Sequence, residues 1–151
     1  MGKGLGGFVM AAVFVGGILA IGHFFGSSGT SDEEASIYDR IGGTEGITQV
    51  IDNFVGYAAA DDMINGRFTD VDIDNFKRLM VEQVCEATGG PCTYSGRSML
   101  EAHRGMGVTE MEFEIVAKHF SQAMKDAGVG QEEHDAIMGV AGSMHDDIVG
   151  H

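Results

Sequence analysis

The stretch that decides the fold runs from Asp72 to Val108, DIDNFKRLMVEQVCEATGGPCTYSGRSMLEAHRGMGV. Its first half places Ile73, Phe76, Met80, Val84 and Ala87 at three- and four-residue steps, the spacing of one apolar stripe on a helix. Gly89 and Gly90 stop that helix, because glycine accepts the left-handed angles of a C-terminal cap, and Pro91 prevents its continuation. A loop rich in Ser, Thr and Gly follows. It leads to a short apolar turn, Met99-Leu100-Glu101-Ala102, that ends on His103. The strip Arg104 to Gly107 is spaced by glycine. A long amphipathic helix, a capped stop and a short helix closing on one histidine suit the two walls of a crevice.

The residues themselves narrow the choice. Ala-Thr-Gly-Gly-Pro (87–91), Tyr94-Ser-Gly-Arg97, Met99-Leu-Glu-Ala-His103 and Gly105-Met-Gly-Val108 resemble the signature of the truncated haemoglobins of the first group. The opening Ser36-Ile-Tyr-Asp-Arg-Ile-Gly-Gly43, the pair Asn53-Phe54 and the pair Arg67-Phe68 are similar to the same family in order and spacing. The resemblance covers Ser36 to Val149. It implies an all-α fold, a shortened globin built as a two-over-two helical sandwich with a much reduced proximal helix. It also implies one haem, with His103 as the proximal ligand to its iron and Phe68 as the aromatic that wedges it. Phe54, Val55, Phe76, Met80, Gln83 and Val84 are expected on the haem's distal side and rear. Met99, Met106 and Val108 accompany His103 on the other. No C-x-x-C-H occurs, so thioether attachment is not indicated and the expected cofactor is haem b.

Composition sets the outer bounds. The 151 residues suffice for one domain with a real core and an appendage. A single Pro, no Trp and little strand-type alternation agree with a helical class. All 23 acidic residues and eight of the nine basic ones follow Thr30, so that part carries −15. Nucleic acid is excluded as a partner, since its binding relies on Lys and Arg neutralising phosphates.

Residues 1–30 are a different material from 31–151, the expected globin domain. Gly4 to Phe25 is a run of 22 residues without a formal charge, His23 taken as neutral. At about 1.5 Å per residue, that spans a bilayer core of about 30 Å. The expectation is a transmembrane anchor over residues 4–25, followed by a flexible linker, Gly26 to Ser31. A cleaved signal peptide is the rival reading; no A-x-A site appears, although Gly26-Ser-Ser28 is a weak small-x-small candidate. Ala12, Gly16 and Ala20 put small side chains along one face, which suits packing on another membrane subunit or on a second copy. Lys3 on the short side favours a cytoplasmic amino terminus, with the globin domain outside the inner membrane.

The remaining elements follow the same periodic logic. Gly46 to Ala60 is expected to be a helix with Ile47, Val50, Ile51, Phe54 and Val55 to one side. Thr109 and Glu112 form a capping box for a helix carrying Phe113, Val116, Ala117, Phe120 and Met124 and ending near Gly128. A last helix is expected from Gln131 to Val149. Among the other histidines, His119 reads as structural, His134 and His151 as solvated, and His145 beside Asp146-Asp147 as a poor metal site. Cys85 and Cys92 flank the Gly-Gly-Pro stop. On a continuous helix they would be about 10 Å apart, but the reversal could bring them together. Both a disulfide and two reduced thiols fit.

The distal pocket departs from the family. Next to Phe54, most relatives carry a tyrosine that donates a hydrogen bond to the ligand; here that position is Val55. Tyr57 is rotated about 200° from Val55 and points elsewhere. Gln83 is the one nearby amide, and Met80 is read as a wall residue rather than an iron ligand. An apolar pocket releases oxygen fast and favours carbon monoxide or nitric oxide. Three function classes follow. They are binding of diatomic gases (with a nitric oxide dioxygenase version that the apolar pocket disfavours), electron transfer or redox sensing within a larger respiratory complex, and an interaction subunit with incidental haem.

Overall fold

A computed structural model describes residues 34–151. The anchor expected over 4–25, its Ala12–Gly16–Ala20 face and His23 lie outside the described residues. Among the described residues, no helix is long and apolar enough to cross a membrane.

Among the described residues seven α-helices follow one another: α1 (Ile37–Arg40), α2 (Gly43–Ala60), α3 (Ile73–Ala87), α4 (Met99–His103), α5 (Glu110–Asp126), α6 (Gln131–Ser143) and α7 (His145–Ile148). A 3₁₀ turn, Asn65–Phe68, joins α2 to α3. α2 lies against both α3 and α5, while α6 packs on α5 and touches α3. Two helix pairs thus stack, which is the two-over-two sandwich. α2 begins at Gly43, three residues before the expected start at Gly46.

Local chemistry explains each boundary. Asp72 caps α3 by accepting from the Asn75 amide at 3.0 Å. Its far end is a Schellman motif: Gly89 sits at φ 86°, and the Gly90 amide returns to the Cys85 carbonyl at 2.8 Å. Ser98 with Glu101, and Thr109 with Glu112, form reciprocal capping boxes on α4 and α5.

The expected helix from Gln131 to Val149 is interrupted. α6 stops at Ser143, and α7 is a separate turn. Gly139, Gly142 and Ser143 are weak helix formers, and the Ser143 hydroxyl bonds back to the Val140 carbonyl at 2.6 Å. The break lets α7 dock on α4, while Val149 bridges Val108 and the Gly107 amide donates to the His151 carbonyl.

The core is one-sided. Ile47, Val50, Ile51, Phe54 and Ala58 of α2 pack with Phe120, Ala123 and Met124 of α5, joined by Ile64, Ile137 and Cys85. The Phe54 and Phe120 rings meet edge to face, 5.8 Å apart. Along α3, by contrast, Cys85 is the one buried residue. Its stripe of Phe76, Met80 and Val84 is left only partly covered by protein.

Candidate functional site

That partly covered stripe faces a cavity of about 560 Å³ between α3 and the elements that carry α4. Phe76, Met80 and Val84 form one wall. Met99, His103, Met106 and Val108 form the opposite one. Phe54 closes the cavity's inner end, and Phe68 stands at its side with its ring 5.5 Å from that of Phe76. Gln83 also lines it. Val55, expected in this wall, does not. It packs part-buried on the core, because one helical step from Phe54 turns it by about 100°.

His103 is oriented by the turn that carries it. Its Nδ1 lies 2.8 Å from the Met99 carbonyl, one turn back along α4, so Nδ1–H donates there. Nε2 has no hydrogen-bond partner among the described residues and is the nitrogen left with a lone pair. An imidazole fixed through a backbone carbonyl, its second nitrogen without a partner at a large apolar cavity, is the donor arrangement that suits haem iron. The polar rim suits such a group too. Asn75, Tyr94 and Arg97 all line the cavity, and Arg97 makes no ion pair among the described residues. Burial pushes the Tyr94 phenol above its ordinary value, and its hydroxyl donates to the Arg97 carbonyl at 2.9 Å.

The Gln83 side chain also reaches two other elements. Its amide nitrogen lies 3.6 Å from Met99 Sδ and 3.7 Å from Met144 Sδ, tying α3 to α4 and to the α6–α7 junction. It is held toward the rear of the cavity. Tyr57 points away from the cavity, its hydroxyl bonded to Asp126.

A bracket closes the mouth. Arg67 donates from Nε and Nη2 to the two Glu112 oxygens at 2.8 and 2.9 Å, and from Nη1 to the Met106 carbonyl at 2.7 Å. Glu112 also accepts from the Thr109 amide, and Arg67 with these bonds holds its carboxyl down at about 2. The Met106 amide in turn donates to the His103 carbonyl at 3.0 Å. Arg67 thereby fixes the strip that follows the histidine. The pair Arg67-Phe68 was legible in the sequence, but nothing there showed that the arginine crosses to Met106 and Glu112.

Comparison with known proteins settles the family. The family model for bacterial-like globins matches residues 36–149. A group 1 truncated haemoglobin of Mycolicibacterium paratuberculosis is 39% identical over 116 residues, 77% of this chain and 85% of its own. This chain belongs to the group 1 truncated haemoglobins. A second member, from Nostoc sp., is 31% identical, covering 69% of this chain and 88% of its own. The 2/2 haemoglobin of Synechococcus, solved in the cyanomet state with covalently attached haem, superposes with a TM-score of 0.72 at 26% identity, over 76% of this chain and 98% of its own. The truncated haemoglobin of Tetrahymena pyriformis gives 0.73 at 24% identity, covering 78% and 100%, a likeness of fold. The family's cofactor is haem, and the cavity, the free Nε2 and the polar rim of this truncated haemoglobin fit it.

Several residues of the truncated haemoglobin's cavity were not expected there from the sequence. Phe113, Val116, Ile137, Met144 and Ile148 line it; their periodic spacing marks an apolar face without saying whether protein or cofactor covers it. His134, expected in solvent, is buried, with Nε2 2.8 Å from Ser121 Oγ and Nδ1 2.9 Å from Asp135. Its place in the first turn of α6 faces it toward α5. His119 binds Asp61 at 2.7 Å and stacks on Tyr57. His145 lies between Glu110 and Asp146, which raise its pKa, Asp146 foremost.

Proposed function

We propose that this truncated haemoglobin is a membrane-tethered haem b protein that binds diatomic gases, with His103 Nε2 as the proximal iron ligand. The observation that carries the reading is the His103 imidazole itself, its Nδ1–H held on the Met99 carbonyl and its Nε2 bare at the cavity. Haem iron, when bound, supplies reversible coordination of oxygen, carbon monoxide or nitric oxide. The chain's part is to orient the imidazole, to exclude water with Phe54, Phe76, Met80 and Val84, and to meet the propionates at the rim with Tyr94 and Arg97. No hydroxyl replaces the family's distal tyrosine at Val55, and the Gln83 amide is engaged with two thioethers. Tight oxygen retention and nitric oxide dioxygenation are therefore disfavoured. A visible spectrum of the reduced protein, with and without carbon monoxide, tests the reading; a shift of the Soret band on adding the gas is expected, and a spectrum without haem would overturn it.

The tether is read from the 22 uncharged residues Gly4–Phe25 alone, with the Ala12–Gly16–Ala20 face as the surface for a membrane partner. Lys3 on the short side supports a globin domain outside the inner membrane. The full-length chain is expected to resist alkaline extraction and to be cut by protease added to spheroplasts. A mature chain beginning near Gly29 would remove the tether, and protection in spheroplasts would reverse the orientation.

A further inference from the structure

The two cysteines form a disulfide, Cys85 to Cys92, with Cα atoms 5.7 Å apart. Their surroundings are unequal. Cys85 is fully buried on the last turn of α3. Cys92 is only partly buried and lines a second, surface cleft of about 380 Å³, shared with Thr48, Ile51, Lys77 and Val81; Cys85 is absent from that cleft. Thiol–disulfide exchange goes through the sulfur that an attacking thiolate can reach. Here that sulfur is Cys92 Sγ. The cleft's two cations, Lys77 and Arg78, are matched by Asp52 and Glu82. It is thus a near-neutral spot on a domain carrying −15, where an incoming thiolate meets less repulsion than elsewhere.

What the bond holds is part of the crevice. On one side is α3, with Phe76, Met80 and Val84. On the other is the segment Thr93–Ser98, which brings Tyr94 and Arg97 to the rim and then enters α4. Apart from the bond, that segment is fastened to α3 by Ser95, which donates to Glu82 from its amide at 3.0 Å and its hydroxyl at 2.6 Å. Opening the bond therefore loosens the rim without releasing it.

We propose that Cys85–Cys92 is a redox-exchange site, opened by a dithiol reductant attacking Cys92 through this cleft, and that its opening hastens loss of haem. The effect on haem rests on the function proposed above. In the exchange, one thiolate of the reductant forms a bond to Cys92 Sγ as the Cys92–Cys85 bond breaks. Cys85 leaves as a thiolate and takes a proton. The reductant's second thiol then displaces Cys92 as a thiol, and the reductant ends as its own disulfide. Two electrons and two protons have moved to the protein.

The test uses the full-length, haem-loaded protein. Glutathione, a monothiol, should be trapped on Cys92 by acid quench and peptide mass spectrometry, with Cys85 free for alkylation. Dithiothreitol should free both thiols and raise the rate of haem transfer to excess apomyoglobin by about threefold or more. Reoxidation should restore the slow rate. The Cys85→Ser/Cys92→Ser variant should release haem at the fast rate with or without dithiothreitol, which separates the bond from any action of the reagent on the iron. Hydrogen exchange of residues 93–98 should rise on reduction. Glutathione on Cys85, both thiols alkylated before any reductant, or equal haem transfer from oxidised and reduced protein would each overturn the proposal. A preparation with no haem spectrum would overturn the proposed function instead, and glutathione mapping and hydrogen exchange would still judge the exchange site.

Discussion

Arg67 and Glu112 meet through two parallel hydrogen bonds across the mouth of the crevice, 45 residues apart in the chain. The arginine's third contact, to the Met106 carbonyl, means that the carboxylate anchors the strip following His103 as well as the start of α5.

The charge state of that carboxylate sets a pH window. Folding lowers its pKa from 4.5 to about 2, chiefly through the Arg67 bonds. The folded state therefore gains from ionised Glu112 above about 4.5 and loses that gain as pH falls through about 2. Glu112→Gln should remove this part of the acid-unfolding slope while leaving the rest. Urea midpoints measured between pH 5 and pH 2.5 check it, and parallel curves for the two proteins would contradict it.

Replacing His103 with Ala is expected to abolish or severely weaken haem retention, because Nε2 is the bare nitrogen at the cavity. His119→Ala should leave the iron spectrum nearly intact, since that ring is engaged by Asp61 and Tyr57 and does not line the cavity. Haem stoichiometry by pyridine haemochrome reads both variants. Equal loss would mean that the ligand is misassigned.

Stopped-flow oxygen dissociation addresses the distal side. Wild type should release oxygen fast, and Gln83→Leu should change the rate little, its amide being held by Met99 and Met144. A hydrogen bond contributes about 0.5–1.5 kcal/mol, or about 2- to 12-fold in rate. Acceleration of that size in Gln83→Leu, from a slow wild type, would show that the amide swings forward to the ligand. Val55→Tyr has farther to reach than the family pattern suggests, because Val55 packs part-buried on the core and does not line the cavity.

Three glycines separate packing from propensity. A Cβ on Gly90 would lie 2.5 Å from the Tyr38 ring and 2.6 Å from Cys85 Sγ, and one on Gly46 would lie 1.8 Å from the Ile41 carbonyl oxygen. Gly90→Ala and Gly46→Ala should destabilise by about 1–3 kcal/mol or more. Gly139→Ala meets nothing within 4 Å in the middle of α6, and should stabilise by about 0.4–1 kcal/mol. Urea denaturation at constant haem occupancy measures all three. A stable Gly90→Ala would mean that the Tyr38–Cys85 packing yields easily.

Much of the site was legible because it depends on local pattern. The stripe of α3, its glycine stop and the short turn into His103 are spacings of three, four and two, and a chain has little freedom in realising them. What depended on a second element was not. Val55 and Phe54 read as equally available, and only the turn of α2 against α5 decides which faces the cavity. Gln83 read as the one nearby amide, and nothing local showed that Met99 of α4 and Met144 at the α6–α7 junction would meet it. His134 reads as solvated in the sequence, yet Ser121 on α5 covers it. The break after Ser143 is weakly marked by glycines; the pull that realises it, α7 docking on α4, is tertiary.

The partly covered stripe of α3 ties the supply of cofactor to the lifetime of the chain. With Cys85 as the one buried residue of that helix, Phe76, Met80 and Val84 depend on a bound group for the rest of their cover. A ligand that binds only the folded form adds stability in proportion to the logarithm of its concentration over its dissociation constant. Proteolysis of the open form follows the population that remains. Cells short of haem would then clear this globin rather than store it empty, so its abundance would report haem availability before any gas is bound.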